Sequence, residues 1–324
     1  MLLFIVRRIL MMIPVLLGVT FIIFFILNLA PGDPAAMLLG DGAPQEAIDQ
    51  LREEMGLNDP LMVRYLDFVR NLLRGDMGIS WRNRISVWEQ VVDRFPNTII
   101  LAIAAIVVAV SMGIPLGIIS AKNQYTFIDN TGVVLSLVGV SMHNFWLGLL
   151  LSLLFALHLG LLPSQGMGTG LGPMLRSLIL PAIALGLDSA AMIARMTRSS
   201  MLEVIRQDYV TTARSKGITE AEVTRKHMFK NALIPIITAI GLRFGFLLGG
   251  SMIAETVFSW PGLGRLMVTA IVERDIPVVL GTVTFMAIMF SIVNLVVDII
   301  YAFVDPRIKS QYRSAVLFKF GRAK

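Results

Sequence analysis

The sequence predicts an all-α integral membrane protein with six transmembrane helices and a small helical segment between the first two. Three observations lead there. Hydrophobic residues make up 56% of the 324-residue chain and charged residues only 15%, whereas soluble domains carry about 25% charged residues to cover their surface. Uncharged runs are long: 9–32, 95–121 and 276–297 hold no Asp, Glu, Lys or Arg, and the run after Asp129 continues to Leu175. A helix needs about 20 apolar residues to cross a bilayer, and each run is long enough. Finally, Lys and Arg fall at alternate span ends.

The elements follow in order. Residues 1–8 precede the first span, 9–30. Arg7 and Arg8 before an apolar run imitate a signal peptide, but the run is too long and ends in Ala30, Pro31, Gly32, Asp33 and Pro34, not in a small-x-small cleavage site, so a retained helix is expected. Residues 31–96 form a helical segment outside the membrane. In it Pro44 opens a helix whose Ile48, Leu51 and Met55 share a face, and Gly56 closes it. Asp59 is read as an N-cap with Pro60 in the first turn of a second helix, where Tyr65, Phe68 and Leu72 recur until Gly75. The two amphipathic helices are too small for a catalytic domain; they suit a packed cap over the spans, a docking surface for a soluble delivery protein, or both.

Span two is 97–121, a short loop 122–130 follows, and span three is 131–158. A Gly/Pro-rich loop, 159–176, leads to span four, 177–197, which carries Asp188. Span five, 234–257, carries Arg243, and a loop at 258–277 precedes span six, 278–303, and a tail, 304–324. The membrane-embedded core is 97–303. Basic residues collect before span one, in 122–130, in 198–233 and after span six, so the positive-inside rule places these and both termini in the cytoplasm. The net charge of +6 is thus a topology signal. The bases lie beside spans with no nucleic-acid-binding motif around them, so no nucleic-acid partner is expected. With no cysteine there is neither a disulfide framework nor a thiolate metal site.

Segment 198–233 is the soluble-looking part. Glu203 to Lys216 reads as one helix, and Gly217 ends it because glycine tolerates a left-handed backbone. Thr219 is the expected cap of the next helix, and Pro235 marks the entry to span five. Helix, glycine turn and helix make a projecting elbow; charge alone would equally fit an ordinary positive-inside loop.

The residues favour the elbow. Tyr209, then Ala213, Arg214, Ser215, Lys216 and Gly217, then His227, Asn231, Ala232 and Pro235 resemble the "EAA" loop of bacterial ABC-importer permeases, most closely the peptide/nickel permease family. Ser215 stands where that family usually has Ala. Further blocks recur in order: Pro31 to Pro34; Gly75, Asp76, Gly78 and Ser80; Arg195, Thr197, Arg198 and Ser199; Glu255, Val257, Phe258, Trp260, Pro261, Gly262, Gly264 and Arg265; and Asn294, Asp298, Asp305, Pro306 and Arg307. The resemblance covers nearly the whole chain. It implies the type I ABC-importer permease fold in a bacterial inner membrane, and alternating access driven by two cytoplasmic ATPase subunits. It also implies a second homologous permease chain and an extracytoplasmic substrate-binding protein. The chain has no Gly-x4-Gly-Lys-Ser/Thr loop, so it holds no cofactor; ATP and Mg would be bound by the ATPase partners. The elbow would lodge in an ATPase and transmit its closure, with Tyr209, Ala213, Arg214, Lys216, Gly217, His227, Asn231 and Pro235 as coupling residues.

Candidates for the pathway or for packing are Asp188, Gly241, Arg243, Gly245, Gly249 and Glu255. Gly241, Gly245 and Gly249 form an i, i+4, i+8 stripe that lets helix backbones approach, either as plain packing or as the seam between two permease chains. Asp188 and Asp298 are costly in lipid and are expected to be tied to protein groups, with substrate contact the alternative. Arg243 stands where the family commonly has Gln. His143 and His158 do not make a helical ligand pair and read as structural. The implied substrates are dipeptides, oligopeptides or glutathione-like peptides, with nickel chelates or oligosaccharides as the alternative. A membrane enzyme would need a His-Glu-x-x-His, a Gly-x-Ser-x-Gly or a paired intramembrane carboxylate site; the first two are missing and the aspartates sit in no protease motif. A passive channel would not need the elbow.

Overall fold

The computed structural model describes residues 2–29, 31–40 and 42–304. The terminal block at Asp305 to Arg307 and the tail lie outside the described residues, as does the side chain of Asp298. Five helices are long and apolar enough to cross a membrane, or six if one sharply bent pair counts as a single span. The described residues divide into two compact units: one takes those up to 100, 165–167 and 248–291, and the other takes 101–164, 168–247 and those from 292 to 304.

In the first unit α1 (Leu2–Leu29) is apolar almost throughout and stops before Pro31. Asp33 then accepts a hydrogen bond from the Ala35 amide at 3.0 Å and caps the short helix α2 (Pro34–Leu39), with Pro34 in the first turn. Helices α3 (Gln45–Glu54) and α4 (Leu61–Leu73) follow. The segment therefore has three helices where the periodicity predicts two, because α2 is too short to show a repeat. Gly56 closes α3 with φ of +66°, as expected. Pro60, not Asp59, takes the N-cap of α4 and makes no side-chain capping bond, so the helix starts one residue later. Tyr65 fixes α4 to α1: its hydroxyl donates to the Leu17 carbonyl at 2.8 Å, and its ring meets Phe21 edge-on at 5.1 Å.

The turn between α4 and α5 (Val87–Lys122) is tied by a backbone bond from Gly78 to the Asp76 carboxylate. Ser80 donates to Asp275, which also accepts from the Trp81 amide. Met77, Val87 and Val91 then pack with Leu263, Leu266, Val278 and Val279, and Phe95 meets Phe285 edge-on at 4.9 Å. The segment 258–277, expected to be loop, contains a ten-residue helix, α13 (Leu263–Val272), whose buried face comprises Leu263, Gly264, Leu266 and Ala270. Helices α12 (Met252–Val257) and α14 (Ile276–Val304) flank it.

The second unit holds the rest of α5, then α6 (Phe127–Ser141) and α7 (Asn144–Leu151), which continues as wide π-type turns over Ser152–His158. These pieces occupy the third expected span but meet at a bend of 97°. Helix α8 (Leu171–Ile205) is longer than the span 177–197 it contains. Small residues let α5 and α8 touch: a Cβ on Gly113, Gly117 or Gly186 would come within 3 Å of the carbonyls of Ala190, Ala194 and Ala105 respectively. Such contacts stabilise helix pairs where lipid offers no hydrophobic drive.

After α8 comes α9 (Asp208–Ser215), then α10 (Glu220–Glu222), which runs through π-type turns at Val223–Phe229 into α11 (Lys230–Gly250). The helix expected from Glu203 to Lys216 is thus broken: α8 ends at Ile205, and Gln207 adopts an extended backbone before α9 starts. Pro235 lies inside α11 and not at its entry, because the wide turns already carry the chain into helix before it. Thr219 sits at the start of α10 but makes no side-chain capping bond.

Candidate functional site

The elbow is a miniature core with a polar outside. Val210 and Ala213 of α9 are buried with Val223, Met228, Ala232 and Ile236, against Ala121 and Met201. Ala213 therefore faces inward: its small side chain lets α9 lie close, and it presents nothing for a partner to grip. Arg214, Ser215, Lys216, Gly217 and Asn231 are exposed, and Tyr209 is 42% exposed. Gly217 sits at the tip with φ of +74°, a backbone that L-residues adopt only with strain. No atom lies within 4 Å of where its Cβ would be.

An ion pair spans this turn. Arg214 donates through Nε and Nη2 to both carboxylate oxygens of Glu220, at 3.1 and 2.9 Å. The hydrogen bonds to Glu220 hold the Arg214 guanidinium above its ordinary pKa. Sequence reasoning named Arg214 but passed over Glu220, although the six-residue spacing across a glycine turn was visible. Lys226 pairs with Glu222 at 2.7 Å one turn apart. Burial pushes the Tyr209 hydroxyl up, and a hydrogen bond with Asn231 acts against it. Asn231 Nδ2 donates to the His227 carbonyl at 2.6 Å, so these two residues brace the wide turn. The structure brings the Tyr209 and Asn231 side chains together over the His227 backbone carbonyl and leaves Pro235 further along α11.

A second tie was not foreseen. Asp129, at the start of α6, is 2% exposed and receives Nε and Nη2 of Arg198 at 2.7 Å each. Ser120 donates to the same carboxylate, and the Tyr125 amide reaches it at 3.0 Å. This joins the loop after α5 to the end of α8. Its signal was an acidic residue alone between two apolar runs.

Among the pathway or packing candidates, Asp188 pairs with Arg243 Nη1 at 3.1 Å, each side chain 19% exposed. The guanidinium also lies against Met192 Sδ and 5.9 Å from the Phe246 ring centroid. The Asp188 charge, costly alone in lipid, is thus compensated by Arg243 across α8 and α11. The glycine stripe is not uniform. A Cβ on Gly241 would overlap Val297, Gly245 is buried, and Gly249 is exposed with no atom within 4 Å of a Cβ.

Glu255, fully buried, has a different kind of site. Its Oε1 accepts from Thr98 at 2.9 Å and Ser251 at 2.8 Å, and its Oε2 accepts from the Arg265 amide at 3.1 Å. The Leu263 amide donates in turn to Thr98 Oγ1 at 2.8 Å. The carboxyl group therefore sits at the N-terminus of α13, where free amides and the helix dipole favour it. A Cβ on Gly262 would overlap this carboxyl group, and one on Gly264 would overlap Met252. The motif from Glu255 to Arg265 is thus a carboxyl group and the two glycines that admit it. Trp260 closes it, donating to the Asn97 carbonyl at 2.9 Å while Asn97 donates to the Pro261 carbonyl. Of the histidines, His143 precedes α7 with its ring against Phe145, and His158 bonds the Leu153 carbonyl at 2.8 Å.

Comparison with known proteins adds the following. Residues 113–310 match the model of a family described as the binding-protein-dependent transport system inner membrane component, and residues 1–102 match the model of the corresponding N-terminal region. The chain is 42% identical to the dipeptide transport system permease protein DppB of Alkalihalophilus pseudofirmus, over 94% of this chain and 98% of the relative. It is 41% identical to DppB of Escherichia coli K12, over 95% and 99%. A putative peptide transport system permease protein of Brucella abortus is 43% identical, over 94% and 98%. Among solved structures, an inward-facing MetNI methionine ABC transporter chain superposes with a TM-score of 0.57 at 18% identity, covering 66% of this chain and 95% of the other; that likeness concerns the fold.

Proposed function

The chain belongs to the family of binding-protein-dependent transport system inner membrane components, and from that premise we propose that it is the permease subunit of an ATP-driven importer of short peptides. The observation that carries the substrate class is near-end-to-end similarity to dipeptide permeases at 41–42% identity. It favours peptides over nickel chelates or oligosaccharides.

In this reading the chain forms half of the pathway, and a second related permease chain forms the other half. Both termini and the elbow lie in the cytoplasm, and the segment between α1 and α5 faces an extracytoplasmic binding protein. Two ATPase subunits bind ATP and Mg and hold the exposed face of the elbow at Tyr209, Lys216 and Gly217, while Arg214 clamps the turn through Glu220. Their closure displaces the elbow, and α8 and α11, which leave it in opposite chain directions, carry the movement into the membrane. A packed element with two discrete positions transmits such a displacement without loss. Support comes from the elbow's construction, with a buried apolar inside and an exposed polar tip.

The test is uptake of a labelled dipeptide in a host lacking its own peptide importers. Uptake is expected only when this chain, its permease partner, the ATPases and the binding protein are all present. ATP hydrolysis by the purified chain alone would contradict the reading. For orientation, Gln50→Cys should react with an impermeant thiol reagent on intact cells and Ser215→Cys only after lysis. The native chain has no cysteine to give background.

A further inference from the structure

Three arginines from different elements of the first unit converge on one pocket of about 610 Å³. Arg52 comes from α3, Arg64 from α4 and Arg274 from the turn between α13 and α14, and the pocket also takes in Asn28 and Asp33 near the end of α1. One carboxylate thus faces three guanidinium groups, and it is already engaged: Asp33 Oδ1 caps α2 and Oδ2 lies 3.5 Å from Arg52. Arg64 donates to the Asn28 amide oxygen at 2.8 Å, a neutral partner. Arg52 Nε is buried and has no hydrogen-bond partner among the described residues. Arg274 forms no salt bridge among the described residues.

The backbone is shaped for this arrangement. Gly32 has φ of +110°, and a Cβ there would collide with the Arg274 guanidinium. The Pro31–Gly32–Asp33–Pro34 block, left without a role by the transport reading, therefore makes room for one arginine and partly neutralises another. Burial lowers the pKa of Arg64, so gathering this charge has a cost that a bound anion would remove.

We propose that this pocket binds the phosphate of an anionic phospholipid headgroup. Guanidinium groups form paired hydrogen bonds to phosphate oxygens, and three of them against the one carboxylate lining the pocket leave an excess of positive charge that Asp59, near Arg64, offsets only in part. The pocket lies at the ends of two candidate spans, Arg8–Leu29 and Ile276–Val297, which is headgroup level for a helix crossing a bilayer. Ile22, Phe25, Ile26 and Leu29 of α1 are exposed and apolar, which offers acyl chains a surface beside the headgroup. The inference rests on α1 and α14 spanning a membrane, and not on the substrate or on which side of the membrane the pocket faces.

The experiment follows the melting temperature of the delipidated full-length chain in detergent with three probes: dihexanoyl-phosphatidylglycerol, dihexanoyl-phosphatidylcholine and inorganic phosphate. The phosphatidylglycerol is expected to raise the melting temperature by at least about 2 °C more than the phosphatidylcholine. Arg274→Gln removes a side chain with no salt-bridge partner, so the variant should fold and lose at least half of that shift. Arg64→Gln combined with it should lose the rest, and Arg176→Gln, on α8, should keep the full shift. An equal shift with inorganic phosphate, lost in the same variants, would support the anion site and assign it a soluble ligand. No anion-dependent shift, or one unchanged by Arg274→Gln, would overturn the proposal. Binding is read without transport, so failure here and failure of the importer reading are separate results.

Discussion

The elbow around Gly217 and the cradle around Glu255 are both built on sequence blocks of the same family, yet they are opposite in kind. In the elbow the apolar residues face in and the block's polar residues lie outside, paired only with one another or with their own backbone: Arg214 with Glu220, Tyr209 with Asn231, and Asn231 with the His227 carbonyl. In the cradle the buried carboxyl and indole of the block are fully matched: Glu255 to Thr98, Ser251 and the Arg265 amide, and Trp260 to Asn97. A closed set of hydrogen bonds has no donor left for a visitor. An exposed set around a strained turn does. The difference teaches that a shared motif can mark either a surface kept for a partner or an interior kept for packing, and that exposure separates the two.

The strongest way to break this comparison is Gly217→Val. No neighbour obstructs a side chain at that position, so the cost is backbone strain alone, about 1–2 kcal/mol at an exposed turn. Abundance should stay near normal, while peptide uptake should fall to background and ATP hydrolysis in the complex should lose its response to loaded binding protein. Thr169→Val, on an exposed loop, is the control and should change little. Normal uptake by an assembled Gly217→Val complex would remove the elbow from the coupling path.

Glu255→Ala is the counterpart, with loss expected in the fold itself. Removing the carboxyl group leaves the hydroxyls of Thr98 and Ser251 and the Arg265 amide short of a partner and opens a cavity, a cost of about 3 kcal/mol or more. Thermal stability in detergent and membrane abundance should both drop, and Glu255→Gln should recover part of the loss by keeping shape and an acceptor oxygen. If Glu255→Ala accumulates normally but does not transport, the group belongs to the pathway and the contrast with the elbow fails.

How well each region could be read from sequence follows from how local it is. The elbow turn was legible because Gly217 directly follows the helical residues it ends, although the break at Gln207 and the pairing of Arg214 with Glu220 were not. The cradle was not, because Thr98 and Glu255 are 157 residues apart and nothing in either neighbourhood names the other. Five of the six expected spans follow from long apolar stretches, and the sixth holds only if α6 and α7 count as one, because the bend between them was not legible. It falls at Met142 and His143, with neither glycine nor proline to announce it. Helix α13 was lost for a related reason, since a ten-residue, mostly apolar segment between two spans resembles the frayed end of one of them. Asp188 reads as a cost in lipid and Arg243 as a departure from the family's usual Gln, and only the fold shows that they meet.

That pair gives a smaller effect and sharpens the comparison, since it lies between the two extremes of exposure. Asp188→Asn should destabilise the protein by about 1–3 kcal/mol by leaving Arg243 without its counter-charge, less than for a fully buried pair because both side chains keep some solvent contact. Adding Arg243→Gln should restore much of the loss, giving a favourable coupling between the two substitutions in thermal stability. If the double variant is stable but takes up peptide poorly, the charges also serve the pathway. If the losses simply add, the two residues are not energetically paired.

The smallest effect concerns Arg214 and Glu220, and it decides how the exposed face of the elbow should be understood. Their side chains are 42% and 48% exposed, so solvent and salt screen the pair and its share of stability should stay below about 1 kcal/mol. Two roles remain for it. If the pair only clamps the turn around Gly217, Arg214→Gln and Glu220→Gln should reduce uptake to the same modest extent, and the double variant should be no worse than either single one. If Arg214 reaches an ATPase, Arg214→Gln should cost far more uptake than Glu220→Gln, with equal stability and assembly. The first outcome is expected, because Glu220 occupies both of the Arg214 donors that face it and leaves the guanidinium turned toward its own chain. Contact with the partner then falls to Tyr209, Lys216 and the Gly217 backbone. Equal losses in the two single variants would place recognition there, and a loss confined to Arg214 would place it on the arginine.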